Sequence, residues 1–150
     1  EFNDAVATAD TWVFENCEFA GTAELIATEY QFTGQSAEYP AGRNGFTLVN
    51  EGAEAHELLI LRKGDGVDLS LEELLELPES ESETMTTYVG GVFVGPPGDS
   101  GVLVAGFEPG NYIAVCTIPT GTIVNGDGSF TEGTGEPHVM LGMSFEFTVG

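Results

Sequence analysis

Turn-forming residues divide this chain into short segments, and that division limits the folds it can adopt. The 150 residues include 21 glycines and 7 prolines. Proline and glycine occur together at residues 39–42, 96–99 and 108–111, and such runs are strong turn signals. The segments between the turns are short and are either apolar or alternating. This spacing predicts a chain of short strands.

The final segment has the most regular strand pattern. Phe145, Phe147 and Val149 fall on one face, and polar residues separate them. In a strand, successive side chains point to opposite faces, so this segment has one buried face and one solvated face. Seven or eight such strands, with one short helix on a connection, predict an all-β Greek-key β-sandwich.

The one predicted helix covers residues 71–77. Ser70 and Glu73 match a capping box, in which each side chain accepts a hydrogen bond from the other residue's backbone amide. Pro78 ends the helix. The acidic segment that follows, residues 79–84, is predicted to be a solvated loop.

The first 21 residues are predicted to be an N-terminal extension or an edge strand. Trp12, Val13 and Phe14 could form that edge strand. Residues 22–150 are predicted to form the main domain. At 150 residues, a single domain is expected.

The charge of the chain excludes several classes of partner. Twenty-five acidic residues face three basic ones, which gives a net charge of −22. Nucleic acids and anionic membrane surfaces are therefore not expected partners, because little is available to neutralise phosphates. The acidic surface could simply keep the protein soluble, or it could steer a cationic partner toward it. We also expect an exported protein, because lysine is scarce, and no membrane-spanning segment, because no apolar run reaches about 18 residues.

Two histidines, two cysteines and three methionines are the soft metal ligands that the chain offers. His56, Cys116, His138 and Met143 follow one another in an order that could supply two imidazoles, a thiolate and a weak thioether to one copper ion. Met140 is an alternative to Met143.

Other interpretations of these residues stay open. Cys116 could instead form a disulfide with Cys17, or it could be a buried core residue. Glu57 directly follows His56 and could orient the imidazole, bind the metal or point to solvent. Residues 125–129 alternate oxygen-bearing side chains with glycine, but their spacing does not match an EF-hand, so a turn is the more common interpretation.

The region covering residues 22–149 resembles a cupredoxin. It is similar to a group of bacterial exported proteins with a cupredoxin-like domain. The motifs that carry the likeness match the family in order and spacing, and they lie within residues 46–58, 69–74, 108–119 and 137–149. In one place the spacing differs, because 21 residues separate Cys116 from His138 where the family has only a few. A longer loop costs little closure entropy, about 0.6 kcal/mol for each doubling of its length.

The resemblance implies a function and assigns roles to the four residues. His56, Cys116, His138 and Met143 would bind one type 1-like copper. The protein would be an exported electron-transfer or copper-handling protein, not an enzyme, with a possible cationic redox partner. The alternative is a metal-free structural or interaction module of the same fold, with a Cys17–Cys116 disulfide.

Overall fold

The computed structural model describes residues 2–150, with side chains described from residue 5 onward. Its helices are α1 (Phe2–Asn16), α2 (Leu71–Glu76), α3 (Glu79–Met85) and a 3₁₀-helix (His138–Leu141). Its strands are β1 (Gly21–Thr28), β2 (Gln31–Thr33), β3 (Glu38–Tyr39), β4 (Gly42–Asn50), β5 (His56–Lys63), β6 (Thr86–Val94), β7 (Ser100–Phe107), β8 (Gly110–Val115), β9 (Ile123–Val124), β10 (Phe130–Thr131) and β11 (Ser144–Val149).

Two mixed sheets form the body of the protein. One sheet has the strand order β2-β1-β4-β7 and the other has the order β3-β11-β8-β5-β6. In the first sheet β1 runs parallel to β4, and in the second β11 runs parallel to β3. The remaining pairs within the two sheets are antiparallel. The predicted β-sandwich is confirmed, although in the described part of the chain its two sheets have nine strands where seven or eight were predicted.

The core lies between the inner faces of the two sheets. It contains a group of rings with neighbouring centroids 5.0–6.3 Å apart: Phe32, Tyr39, Phe46, Phe107, Tyr112, Phe145 and Phe147. Each fully buried large apolar side chain stabilises the fold by about 1.5–3 kcal/mol. The alternation predicted for the last strand is confirmed, since Phe147 and Val149 are buried and Glu146 and Thr148 are exposed.

The N-terminal segment forms a helix, so the edge-strand alternative is wrong. Helix α1 packs against β7, and the Asp10 carboxylate accepts a hydrogen bond from the Val104 amide at 3.2 Å. The sequence pattern gave weight to the strand-forming residues around Trp12, but alanines precede them, and alanine has the highest helix propensity. The boundary between this segment and the main domain stays a prediction.

The region after β5 contains two helices where one was predicted. The Ser70 capping box is present, with the Ser70 amide donating to Glu73 Oε2 at 2.8 Å and the Glu73 amide donating to Ser70 Oγ at 3.2 Å. The predicted solvated loop at residues 79–84 is wrong, because it lies in α3. Glutamates in the first turn of α3 favour the helix, since they lie at the positive end of its dipole.

Among the residues that the structure describes, no helix is both long and apolar enough to cross a membrane.

Candidate metal centre

Three of the four predicted ligands meet inside the sandwich. His56 Nδ1 lies 3.2 Å from His138 Nδ1, and Cys116 Sγ lies 3.4 Å from the same His138 nitrogen. The donor atoms of the three residues all lie within 4.8 Å of one another. Each of the three side chains is fully buried, at 0% exposure. The fold therefore gathers two imidazole nitrogens and a sulfur at one point away from solvent.

Strand register and backbone hydrogen bonds explain this meeting. His56 begins β5, and Cys116 directly follows β8, whose Val115 lies opposite Leu59 of β5. His138 begins the 3₁₀-helix, and its amide donates to the carbonyl of Ile118 at 2.9 Å. The chain that leaves the site after Cys116 is thus fastened to the chain that returns at His138.

A backbone hydrogen bond joins Met143 to Cys116. The Cys116 amide donates to the Met143 carbonyl at 3.2 Å, and the Met143 amide donates to the His138 carbonyl at 3.1 Å. Both Met143 and Cys116 belong to the buried apolar core, whereas Met140 is 53% exposed. Burial favours Met143 over Met140 as the fourth ligand, and that role stays a prediction.

Cys116 is a free thiol. Burial raises the pKa of Cys116 to about 11, although the Glu57 amide donates a hydrogen bond to its sulfur at 3.4 Å. The metal-free site therefore holds a neutral thiol at pH 7, and a metal ion would displace its proton.

The alternative interpretation, a Cys17–Cys116 disulfide, is wrong. Cys17 is also a free thiol, and it lies at the other end of the sandwich. Three residues after Cys17, the Ala20 amide donates to the carbonyl of Arg43, near the start of β4. The metal site lies at the Asn50 end of β4, about 23 Å further along the strand at its usual rise per residue. A disulfide needs Cα atoms within about 7 Å of each other.

The outer nitrogens of the two imidazoles face carboxylates. His138 Nε2 lies 3.0 Å from Glu54 Oε2, within hydrogen-bond distance. His56 Nε2 lies 3.7 Å from Glu29 Oε1, and within the described part of the chain this buried nitrogen has no hydrogen-bond partner. Burial and the neighbouring His138 lower the pKa of His56, so its imidazole is neutral at pH 7.

Glu29 is held in place by the loop that leads to His56. Its carboxylate accepts hydrogen bonds from the Ala53 and Glu54 amides. Partial burial raises the pKa of Glu29, but these backbone hydrogen bonds outweigh that effect and leave the pKa below its usual value. An ionised carboxylate therefore stands near His56.

The Asn50 side chain ties together the loops around the site. It is fully buried, and its Nδ2 donates to the carbonyls of Glu54 and Gly95 at 2.9 Å each. Its Oδ1 accepts from the Gly52 amide at 2.9 Å. One amide group thus fixes the β4–β5 loop against the end of β6.

Residues 119–137, the insertion between Cys116 and His138, contain regular hydrogen-bonded structure. Pro119 and Pro137 form an isolated β-bridge, and β9 and β10 pair as a hairpin between them. The Thr122 carbonyl accepts from the Ala55 amide at 2.9 Å, so the insertion is joined to the residue before His56. The insertion is therefore attached to the loop that leads to His56.

The tip of this insertion is a turn. The Asp127 carboxylate accepts from the Ser129 amide at 2.9 Å, and Asn125 Nδ2 donates to Ser129 Oγ at 2.7 Å. These oxygen-bearing side chains therefore stabilise the hairpin, as the turn interpretation expects.

Among the described residues, no hydrogen bond joins the Glu57 carboxylate to an imidazole. Its Oε1 accepts hydrogen bonds from the backbone amide and the hydroxyl of Thr117. The Glu57 side chain therefore joins the start of β5 to the residue after Cys116.

Glu29, Asn50 and Glu54 were missed in the sequence. Glu54 lies only two residues before His56, but nothing in that spacing distinguishes it from the other 24 acidic residues of the chain. Asn50, the last residue of an apolar strand, carried a signal that could have been used, because a polar residue there often caps a loop.

The donor set fits a copper or zinc ion. Two nitrogens that bind one ion tetrahedrally at about 2.0 Å lie about 3.3 Å apart, and such a nitrogen and a thiolate sulfur lie about 3.5 Å apart. The observed separations are 3.2 Å and 3.4 Å. Only small side-chain movements would be needed for an ion to bind.

Comparison with known proteins gives a match at the level of the fold. No protein-family model matches the chain, and no curated protein matches its sequence. Among solved structures, dithionite-reduced auracyanin from the photosynthetic bacterium Roseiflexus castenholzii is 20% identical, with a TM-score of 0.55 over 87% of this chain and 97% of that one. Auracyanin B is also 20% identical, with a TM-score of 0.56 over 90% of this chain and 92% of that one.

Auracyanins are blue copper cupredoxins. The likeness covers most of both chains, and it places the sequence-based resemblance on a structural basis. The chain has the cupredoxin fold, which is a β-sandwich. In this chain a buried histidine–cysteine–histidine cluster lies at one end of the sandwich.

Proposed function

We propose that this protein is a blue-copper electron-transfer protein that binds one type 1-like copper ion. His56, Cys116 and His138 would supply the strong ligands, and Met143 a weak fourth. The observation that carries the proposal is the buried cluster of two Nδ1 atoms and one sulfur, already close to ligand spacing. The likeness to the auracyanin fold supports it.

The chemistry of the donors favours copper over zinc. A structural zinc ion takes four strong ligands, and among the described residues the cluster offers three from histidine, cysteine and carboxylate side chains. A weak axial thioether completes a blue-copper site, whereas structural zinc sites are completed by thiolate, imidazole or carboxylate. Bound copper would exchange one electron between its cupric and cuprous forms.

The protein around the donors would keep the ligand geometry nearly constant during electron exchange. His56 and Cys116 are held by paired strands, and His138 is fastened at Ile118 and Glu54. Complete burial of the three donors keeps water from the metal position. A site that rearranges little allows fast electron transfer, because little energy is spent on reorganisation.

We further propose that the protein is exported and exchanges electrons with a cationic partner at the metal end. Met140 and Leu141 come two and three residues after His138, and both are exposed apolar residues. The net charge of −22 would attract a positively charged protein over a range of about 8–10 Å at physiological salt. Apolar contact close to the ligand, with acidic attraction at longer range, fits a brief redox encounter.

The visible spectrum tests the copper proposal. Cupric ion added to thiol-reduced protein should give an intense thiolate-to-copper band at one equivalent. Cys116→Ser should remove the band, and Cys17→Ser should keep it. A folded protein that gives no band, or a band that survives Cys116→Ser, would contradict the proposal and favour the metal-free module.

The salt dependence of electron exchange tests the partner proposal. Oxidation by a small cationic reagent should slow as salt is raised, and oxidation by an anionic reagent should become faster. Equal, salt-independent rates would refute electrostatic steering.

A further inference from the structure

Glu54 connects a predicted copper ligand to the inserted loop. Its Oε2 lies 3.0 Å from His138 Nε2 and accepts a hydrogen bond from the Gly121 amide at 2.8 Å. Its Oε1 lies 3.4 Å from the Tyr30 hydroxyl. The carboxylate is mostly buried, at 16% exposure. Both oxygens therefore have fixed partners.

The contact with Glu54 determines where His138 carries its proton. A neutral imidazole has one nitrogen with a proton and one without. An ionised carboxylate accepts hydrogen bonds and donates none, so the nitrogen that faces it must be protonated. His138 Nε2 therefore carries the proton, and His138 Nδ1 presents a bare lone pair toward Cys116 and His56.

The arrangement at His56 is different. The two Nδ1 atoms lie 3.2 Å apart, which is a hydrogen-bond distance only if one of them carries a proton. Since His138 Nδ1 is bare, the proton belongs to His56 Nδ1. Unlike the 3.0 Å contact of His138 with Glu54, the 3.7 Å between His56 Nε2 and Glu29 is beyond hydrogen-bond distance, and in the described residues this nitrogen has no hydrogen-bond partner.

We propose that Glu54 is a positioning residue that fixes His138 with its proton on Nε2 and its Nδ1 free for a metal. In the metal-free protein, His56 has the opposite tautomer and donates its Nδ1 proton to His138. A metal held by His56 Nδ1 would require the ring proton on Nε2, on the Glu29 side, so the proton count of the ring would be unchanged. The metal-bound part of this inference rests on the proposed copper function.

This role of Glu54 has two consequences. The hydrogen bond to the ligand's outer nitrogen orients the ring and makes it a stronger donor, as such partners do at other metal sites. The negative charge beside His138 also stabilises the cupric form more than the cuprous form. Since the same oxygen accepts from Gly121, the inserted loop is held at the ligand.

Imidazole nitrogen chemical shifts test the proposal without copper. The chain has two histidines, so a ¹⁵N-labelled sample gives two imidazole spin systems. In the metal-free wild type we expect His138 as the Nε2–H tautomer and His56 as the Nδ1–H tautomer. A His138 ring protonated on Nδ1, or an equal mixture of its tautomers, would overturn the proposal.

Two glutamine variants test the effect on the metal. Glu54→Gln keeps the size of the side chain but removes its charge and one acceptor. We expect cupric affinity to fall about 10- to 100-fold. The reduction potential should rise by about 59 mV for each tenfold loss of cupric relative to cuprous affinity.

The control is Glu51→Gln, which removes an equal charge from an exposed residue of the same loop. Its affinity should stay within about twofold of wild type. Equal changes in the two variants would overturn the positioning role, because charge alone would then explain them. If the wild type binds no copper, the proposed function fails, and the tautomers of the metal-free protein still decide the role of Glu54.

Discussion

The Asn50 side chain offers a quantitative test of how the metal end is held together. Asn50→Ala removes three hydrogen bonds of 2.9 Å, made with the carbonyls of Glu54 and Gly95 and with the amide of Gly52. The backbone bonds of Asn50 to Asp99 and Gly98 remain. The variant therefore removes the side-chain bonds that hold two loops together, and it keeps the backbone bonds at the end of β4.

The expected loss follows from the number of bonds. Each typical hydrogen bond contributes about 1 kcal/mol net, so three give about 3 kcal/mol. For a domain of this size, each 1 kcal/mol shifts the melting temperature by about 2–4 °C, so we expect a decrease of about 6–12 °C. That loss is a large fraction of a typical folding free energy of about 5–15 kcal/mol.

Asn44 provides the matched control on the same strand. It is equally buried, and its Nδ2 donates to the carbonyls of Pro40 and Gly42 at 2.8 Å and 3.0 Å. Its Oδ1 is buried without a partner in the described residues, so Asn44→Ala also removes an unpaired acceptor. Two lost bonds offset by that relief give a net loss of about 1 kcal/mol or less.

Urea unfolding of the metal-free variants, with thermal unfolding as a second measurement, checks both values. Asn50→Ala should also weaken copper binding, because it frees the loop that carries Glu54, whereas Asn44→Ala should leave copper binding unchanged. If Asn50→Ala costs no more than Asn44→Ala, or if both variants bind copper like the wild type, the side-chain amide does not hold the metal end together.

Three further predictions concern Cys116 and one turn. The pKa of Cys116 is about 11 in the folded protein against 9.0 for the unperturbed thiol, so its stabilising contribution is present below pH 9 and is lost as pH rises through 11. Between pH 9 and 11, urea unfolding of the metal-free wild type and of Cys17→Ala should show a decrease in the free energy of unfolding that is roughly 2–3 kcal/mol larger than that of Cys116→Ala. Equal decreases in the three proteins would contradict this burial effect. Since copper displaces the thiol proton, cupric affinity measured by competition should rise about tenfold per pH unit from pH 7 to 10, and a flat profile would contradict a protonated free thiol. Gly34→Ala should destabilise the fold by about 2 kcal/mol or more, because φ is +92° and a Cβ would overlap the Glu24 carbonyl. The control is Gly66→Ala, which has φ +81° but open space around the new Cβ, and it should cost about 1–2 kcal/mol. Equal melting temperatures of the two variants would refute the predicted clash with Glu24.

Some features could be predicted because they depend on neighbouring residues. The alternation that ends in Phe147 and Val149 has the two-residue period of a strand, and the structure shows it. The capping box of Ser70 and Glu73 is a contact across three residues, and it is present. Turn-rich spacing was enough to predict a β-sandwich, since short alternating strands have few other ways to bury one face.

Local patterns failed where propensities compete. Trp12, Val13 and Phe14 favour a strand by residue type, but helix α1 includes them, because it packs as a unit against β7. The acidic segment after Pro78 had no apolar stripe to indicate α3. In both places, helix propensity and the position within the fold outweighed the pattern that was used.

The sequence by itself determined the strand periodicity, the acidic charge and the order His56, Cys116, His138 and Met143. Only the tertiary structure decided that Cys116 meets the histidines and lies far from Cys17. Only the tertiary structure, too, placed the Glu54 carboxylate against His138, a predicted ligand. The physical reason is the separation of the interacting residues along the sequence. Periodicity and capping arise from residues a few positions apart, whereas the site depends on strand register and on the loop that brings His138 back to Cys116.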